Sequence, residues 1–147
     1  MADNKQNLLR DTMYYYFDNG VADKFYKSCQ DFMEYSLKHN DLRSYYNGWE
    51  NLIIFDLNES NIFQAYKQAL DMSHDMRERK ADSLYYMATS TLGLIYADCN
   101  NLEGARQCFT ETIQLLRQQG EKEALAPVYM DLAYVTIDKY PEEALRW

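Results

Sequence analysis

Residues Asn61-Ile62-Phe63-Gln64-Ala65-Tyr66-Lys67-Gln68-Ala69 and Asn101-Leu102-Glu103-Gly104-Ala105-Arg106-Gln107-Cys108-Phe109 read as two copies of one phrase. Asn stands over Asn, a branched apolar residue over a branched apolar residue, and Ala65 over Ala105; Gln68 meets Cys108, and Ala69 meets Phe109. The step from 61 to 101 is an offset of 40 residues. The same offset carries Tyr45-Tyr46 onto Tyr85-Tyr86, and Leu52-Ile53 onto Leu92-Gly93 and then Leu132-Ala133. Backwards, Ile53 falls on Met13, so a divergent first copy starts near residue 4. A period of this length is the signature of a repeat array, in which each copy is a small unit that cannot bury its own apolar side.

Within each period the apolar spacing is helical. Trp49, Leu52, Ile53 and Phe55 form one stripe; Thr89, Leu92, Gly93 and Tyr96 form the next, and Tyr129, Leu132, Ala133 and Thr136 a third. A second kind of stripe follows each turn: Phe25, Cys29 and Phe32; Ala65, Ala69 and Met72; Ala105, Phe109, Thr112 and Ile113. Between them lie Asp18-Asn19-Gly20, Asn58-Glu59-Ser60-Asn61, Asp98-Cys99-Asn100-Asn101 and Asp138-Lys139-Tyr140-Pro141, residue types that cap helices and close turns. The pattern predicts helices at 4–17, 21–39, 41–57, 60–79, 81–98, 101–119 and 121–138, with another starting near 141. Two helices per period make an αα-hairpin, and stacked hairpins make a solenoid. The expected fold is all-α: a right-handed α-solenoid of about four repeats, at 4–40, 41–80, 81–120 and an incomplete 121–147, forming one domain over 1–147.

Composition agrees. The 147 residues suffice for one cored domain, and 47% hydrophobic with 26% charged residues is a globular balance. Only five Gly and two Pro interrupt the chain, so long runs lack helix breakers. A net charge of −8 argues against nucleic acid, whose sequence-independent binding needs clustered Lys and Arg. No apolar run approaches the roughly 20 residues of a membrane span, so no membrane insertion by this segment is expected.

Chemistry-bearing motifs are missing from the sequence. The glycines at 20, 48, 93, 104 and 120 are too scattered for a phosphate loop, and there is neither an HExxH nor a Cys/His zinc spacing. The expectation is no catalytic residue, no metal and no cofactor. Cys29, Cys99 and Cys108 read as three small, mostly buried thiols, with a Cys99–Cys108 bridge left open. His39 and His74 fall near the ends of second helices, where His commonly caps or is exposed.

Leu92-Gly93-x-x-Tyr96 followed by Ala105-x-x-x-Phe109 resembles the tetratricopeptide pattern, and Trp49-x-x-Leu52 with Ala65-x-x-x-Ala69 echoes it. Small residues at Gly93, Ala133, Ala65 and Ala105 would let paired helices approach, with Tyr96 and Phe109 filling the groove. The usual period is 34, so each copy here is six residues longer. Asp56 stands where the pattern has an aromatic, and as a carboxylate it should lie near a helix end, hydrated or hydrogen-bonded.

The resemblance implies a concave surface lined by first helices. Its positions map here to Tyr14, Asn47, Glu50, Asn51 and Ile54, then Met87, Ser90, Thr91, Leu94 and Asp98, then Met130, Asp131 and Tyr134, with Phe17 extending the row. These positions also suit ordinary inter-repeat core. As a groove they would take a protein or peptide carrying positive charge. Of the places corresponding to the clamp that some relatives use for a terminal carboxylate, Arg10, Tyr14, Asn51, Met87 and Thr91, only Arg10 and Asn51 suit it.

Tyr-rich repeats of this style resemble the N-terminal segment of two-component sensor histidine kinases and related regulators of gut Bacteroidetes. That likeness implies a sensory or regulatory module of a bacterial signal-transduction protein, periplasmic if it precedes a membrane span and otherwise cytoplasmic. A stand-alone adaptor or assembly scaffold is the alternative. Pro141-Glu142-Glu143-Ala144 looks like the start of a second helix in the fourth copy, which suggests a fragment of a longer protein and a homodimer through the uncovered end.

Overall fold

The computed structural model describes residues 3–139. Seven α-helices account for most of these residues, and no strand occurs among them: α1 Asn4–Asp18, α2 Ala22–Lys38, α3 Leu42–Asn58, α4 Ile62–Glu78, α5 Tyr86–Asp98, α6 Leu102–Gln119 and α7 Leu125–Lys139. None is long and apolar enough to cross a membrane.

Three of the starts follow from capping chemistry. The first amides of a helix have no carbonyl to bond, and a short polar side chain just before them supplies an acceptor. Asp3 accepts from the Gln6 amide at 2.6 Å, Asp41 from Ser44 at 3.1 Å and Asn101 from Gly104 at 3.0 Å. Ahead of α5 the corresponding residue is Ala81, which has no side-chain acceptor. There the chain tightens into a 3₁₀ turn, Asp82–Leu84, before α5 begins, so the helix expected over 81–98 is shorter than its spacing implied. The helix expected from 121 begins instead at Leu125. Pro127 explains this: it has no N–H to donate, so it is tolerated only in the first turn, where that bond is unmade anyway. The helix expected near 141 lies outside the described residues.

The turns are more uniform than the sequence. Gly20, Asn40, Ser60, Lys80, Asn100 and Gly120 all have positive φ, between 55° and 71°. At each, the left-handed residue donates to the carbonyl three back and its successor to the carbonyl five back: Asn40 to Leu37 and Asp41 to Ser36, Lys80 to Arg77 and Ala81 to Met76, and so on through Gly120 to Arg117 and Glu121 to Leu116. This is the Schellman closure, which satisfies the last carbonyls of a helix and reverses the chain.

The chain divides into two compact units, with the boundary between Ala65 and Tyr66. In the first, α1 packs on α2 and α2 on α3. Met13, Phe25, Cys29, Phe32 and Phe55 form the core, with Leu9, Phe17 and Leu52 against it. The Phe25 and Phe55 rings stack with centroids 4.3 Å apart, and Phe17 meets both edge-on, geometries that add to the large apolar area each ring buries. Asp56 is buried two residues before the end of α3, and Tyr26 donates its hydroxyl to it at 2.5 Å, so the expected hydrogen bond is present. Burial first, and the Asp56 contact second, push the Tyr26 phenol up to about 12. Gln6, also buried, donates to Ser36 Oγ and Asp41 Oδ2, linking the first three helices.

In the second unit α5 packs on α6 and α6 on α7. Ala105, Phe109, Ile113, Leu116, Val128, Leu132 and Val135 form one core cluster, flanked by Tyr86, Leu94, Tyr96 and Tyr129. Gly93 lies against the Phe109 ring. The Thr89 and Thr112 hydroxyls meet at 2.7 Å, and each also reaches a carbonyl of its own helix, so neither buried oxygen is left unsatisfied. Only one thiol is buried, contrary to the sequence reading: Cys29 is buried, Cys108 half-buried and Cys99 exposed, all three free. Cys99 follows the last residue of α5, where a turn faces solvent.

Candidate functional site

The first unit brings together three of the residues expected to line a groove. Asn47 and Asn51 lie four apart on α3 and share a face. Asn51 Nδ2 donates to the Asn47 backbone carbonyl at 2.8 Å and to its Oδ1 at 3.0 Å. From α1, the Tyr14 hydroxyl donates to Asn47 Oδ1 at 3.1 Å and stands 3.3 Å from Asn51 Nδ2. These bonds fix both amide orientations, because the Asn47 carbonyl can only accept. The Asn47 amide hydrogens and the Asn51 side-chain oxygen are left over, a donor and an acceptor one helical turn apart. That pair matches the alternating N–H and C=O of an extended peptide.

Glu50 adjoins this cluster on α3 with no hydrogen bond or ion pair among the described residues, and burial pushes its carboxyl up to about 7. Ile54, partly buried, continues the face toward the end of the helix. Phe17 belongs to the aromatic core rather than the row, since its ring packs on Phe25 and Phe55. Arg10 is also turned to other work: it donates to Asn7 Oδ1 at 3.2 Å and sits over the Phe32 ring.

The second unit treats its expected positions unevenly. Met87 and Thr91 are 5% and 1% exposed, so these two residues offer no open surface. Thr91 bonds back to the Met87 carbonyl at 2.6 Å, which hides its polarity inside its own helix. Ser90 and Leu94 are partly buried, with Leu94 packed on the α6–α7 core, and Asp98 is exposed at the end of α5. On α7 the picture reverses: Met130 and Tyr134 are 73% and 70% exposed, and Asp131 between them has its carboxyl raised by burial.

Ile137, 59% exposed, belongs to the same stripe and was not among the expected residues. Its spacing, seven residues after Met130 and three after Tyr134, is the signal that would have found it. Among the described residues no group of three or more His, Cys, Asp or Glu side chains is placed to hold a metal ion. Glu50, Asp98 and Asp131 are the charged members of the expected set, and all are acidic. No family model, curated protein or solved structure matches the chain.

Proposed function

We propose that the chain is a protein- or peptide-binding module of the tetratricopeptide type, serving as the sensory or regulatory part of a bacterial signal-transduction protein. Six identical Schellman closures, at residues 20, 40, 60, 80, 100 and 120, support the 40-residue hairpin period. On this reading the hairpins continue as a right-handed solenoid, with α1, α3, α5 and α7 as the first helices of successive repeats. The observation that carries the binding role is the Asn47–Asn51 pair, held by Tyr14 with a donor and an acceptor left over. With Glu50 beside it, this face suits an extended peptide bearing Lys or Arg. The signalling assignment rests on the Tyr-rich repeat style, and partner binding would act by shifting the populations of two hairpin packings.

The test pans a random-peptide library on the purified chain and measures the enriched peptides by calorimetry. Basic peptides should emerge, and Asn51→Leu and Glu50→Gln should each weaken them about tenfold or more without lowering the melting temperature. Enrichment of acidic peptides, or equal affinity in both variants, would reject this face. For the signalling role, a kinase core or DNA-binding domain should be encoded downstream in the same reading frame; a stop codon there favours the scaffold.

A further inference from the structure

Away from the Tyr14–Asn47–Asn51 face, α2 and α3 line a half-open cavity of about 430 Å³. That volume falls within the range of small-molecule sites. Its surface is mainly apolar, with Met33, Leu37 and Leu52 supplying the aliphatic part and Tyr26 and Tyr45 also in the lining. Two contacts fix its walls. Gly48 has no side chain, and Met33 Cγ lies only 2.6 Å from where a Cβ would stand, so α2 and α3 meet there through the methionine. Tyr26 is tethered by its hydroxyl to Asp56, which holds the ring at one side of the cavity. The Cys29 thiol at the base donates to the Gly48 carbonyl at 3.1 Å and is no free nucleophile.

One charge lines this space. Glu34 accepts from Gln30 at 2.9 Å through Oε1, and among the described residues Oε2 has no partner. None of the lining residues is Lys, Arg or His, and the nearby Lys27 is paired with Asp31 at 2.8 Å. A single carboxylate, with no basic side chain in the lining, favours a cation over an anion, because the net field there attracts positive charge. The apolar surface requires that the cation carry an apolar body, whose burial supplies most of the affinity.

We propose that this cavity binds a small amphipathic amine, its hydrocarbon body against Met33, Leu37 and Leu52 between the two tyrosines and its ammonium at Glu34. None of these residues belongs to the peptide-binding face, so the proposal stands whether or not that face binds a partner.

The experiment uses three probes with one body and different heads, 4-phenylbutylamine, 4-phenylbutanol and 4-phenylbutyrate, titrated into protein labelled with ¹³C at the methionine methyls. The Met33 methyl should shift while that of Met130 stays in place. The amine should bind about tenfold more tightly than the carboxylate, with the alcohol between. Glu34→Gln should bring the amine to the affinity of the alcohol and leave the alcohol unchanged. Leu37→Trp should abolish all three. Any of three results overturns the proposal: no Met33 shift at about 10 mM probe, a carboxylate that binds as well as the amine, or an amine preference that survives Glu34→Gln. Because Glu34 is an exposed helical residue, that variant keeps the test decisive even if Leu37→Trp misfolds.

Discussion

Gly93 and Phe109 meet across α5 and α6 at a distance that admits no side chain on the glycine: a Cβ there would stand 2.5 Å from Cε1 and 2.7 Å from Cδ1 of the ring. Phe109 is 1% exposed and central to the second unit's core, so the ring has little room to retreat.

Gly93→Ala therefore sets two effects against each other. Alanine is favoured over glycine in a helix by about 1 kcal/mol, while overpacking a filled core costs about 1–3 kcal/mol. The clash should win, with a net loss of about 1 kcal/mol or more in urea unfolding. Phe109→Leu in the same background should recover part of that loss. A Gly93→Ala protein more stable than the parent would show that the ring can turn aside.

Two carboxyls in the first unit give opposite pH dependence. Glu50 is raised to about 7 by burial, so the folded state holds its proton more tightly than the unfolded chain. Its contribution to stability falls as pH rises from the unfolded value, about 4.3, through about 7, and the full penalty persists above that. Burial also acts to raise Asp41, but hydrogen bonds from Gln6 and Ser44 and the charge of Arg10 outweigh it and hold the carboxyl below its usual range. Its contribution is present above the unfolded Asp value, about 3.9, and disappears as pH falls through the lower folded value. Glu50→Gln should thus stabilise the protein by about 2–3 kcal/mol at pH 8 and by little at pH 4, while Asp41→Asn should destabilise it at neutral pH and matter less in acid. Denaturant melts across this window read both; a pH-independent gain for Glu50→Gln contradicts the assignment.

The thiols should separate by reactivity. Cys99 is exposed, Cys108 is half-buried and raised by burial and then by Glu111, and burial pushes Cys29 up to about 12. Since only the thiolate attacks, a maleimide at neutral pH should label Cys99 first and Cys108 more slowly. Cys29 should react only after unfolding. Mass spectrometry of time points resolves the order, and early labelling of Cys29 would mean that α2 and α3 part readily.

Helix placement was legible because the apolar stripes at 49, 52, 53 and at 105, 109, 113 leave one period available. The 3₁₀ turn at 82–84 was not, since no breaker marks it: Ala81 lacks a capping side chain, but so does Val21, from which α2 starts directly. Pro127 was visible, and the rule that confines it to a first turn would have moved the start of α7. Asn47 and Asn51 could be paired from their spacing. Their link to Tyr14 depends on how α1 meets α3, which no local rule supplies. Thr91 misled for a different reason: a hydroxyl that bonds its own helix carbonyl is polar in the sequence and apolar in effect.

The six corners carry one more implication, for thermal engineering. Glycine fills the left-handed site at 20 and 120, whereas Asn40, Ser60, Lys80 and Asn100 hold it with a side chain. A Cβ in that conformation costs about 1–2 kcal/mol, less for Asn, which tolerates the region. Ser60→Gly and Lys80→Gly should each lift the melting temperature by a few degrees without touching a helix face. Heat tolerance in this chain has been left on the table at its bends, not in its core.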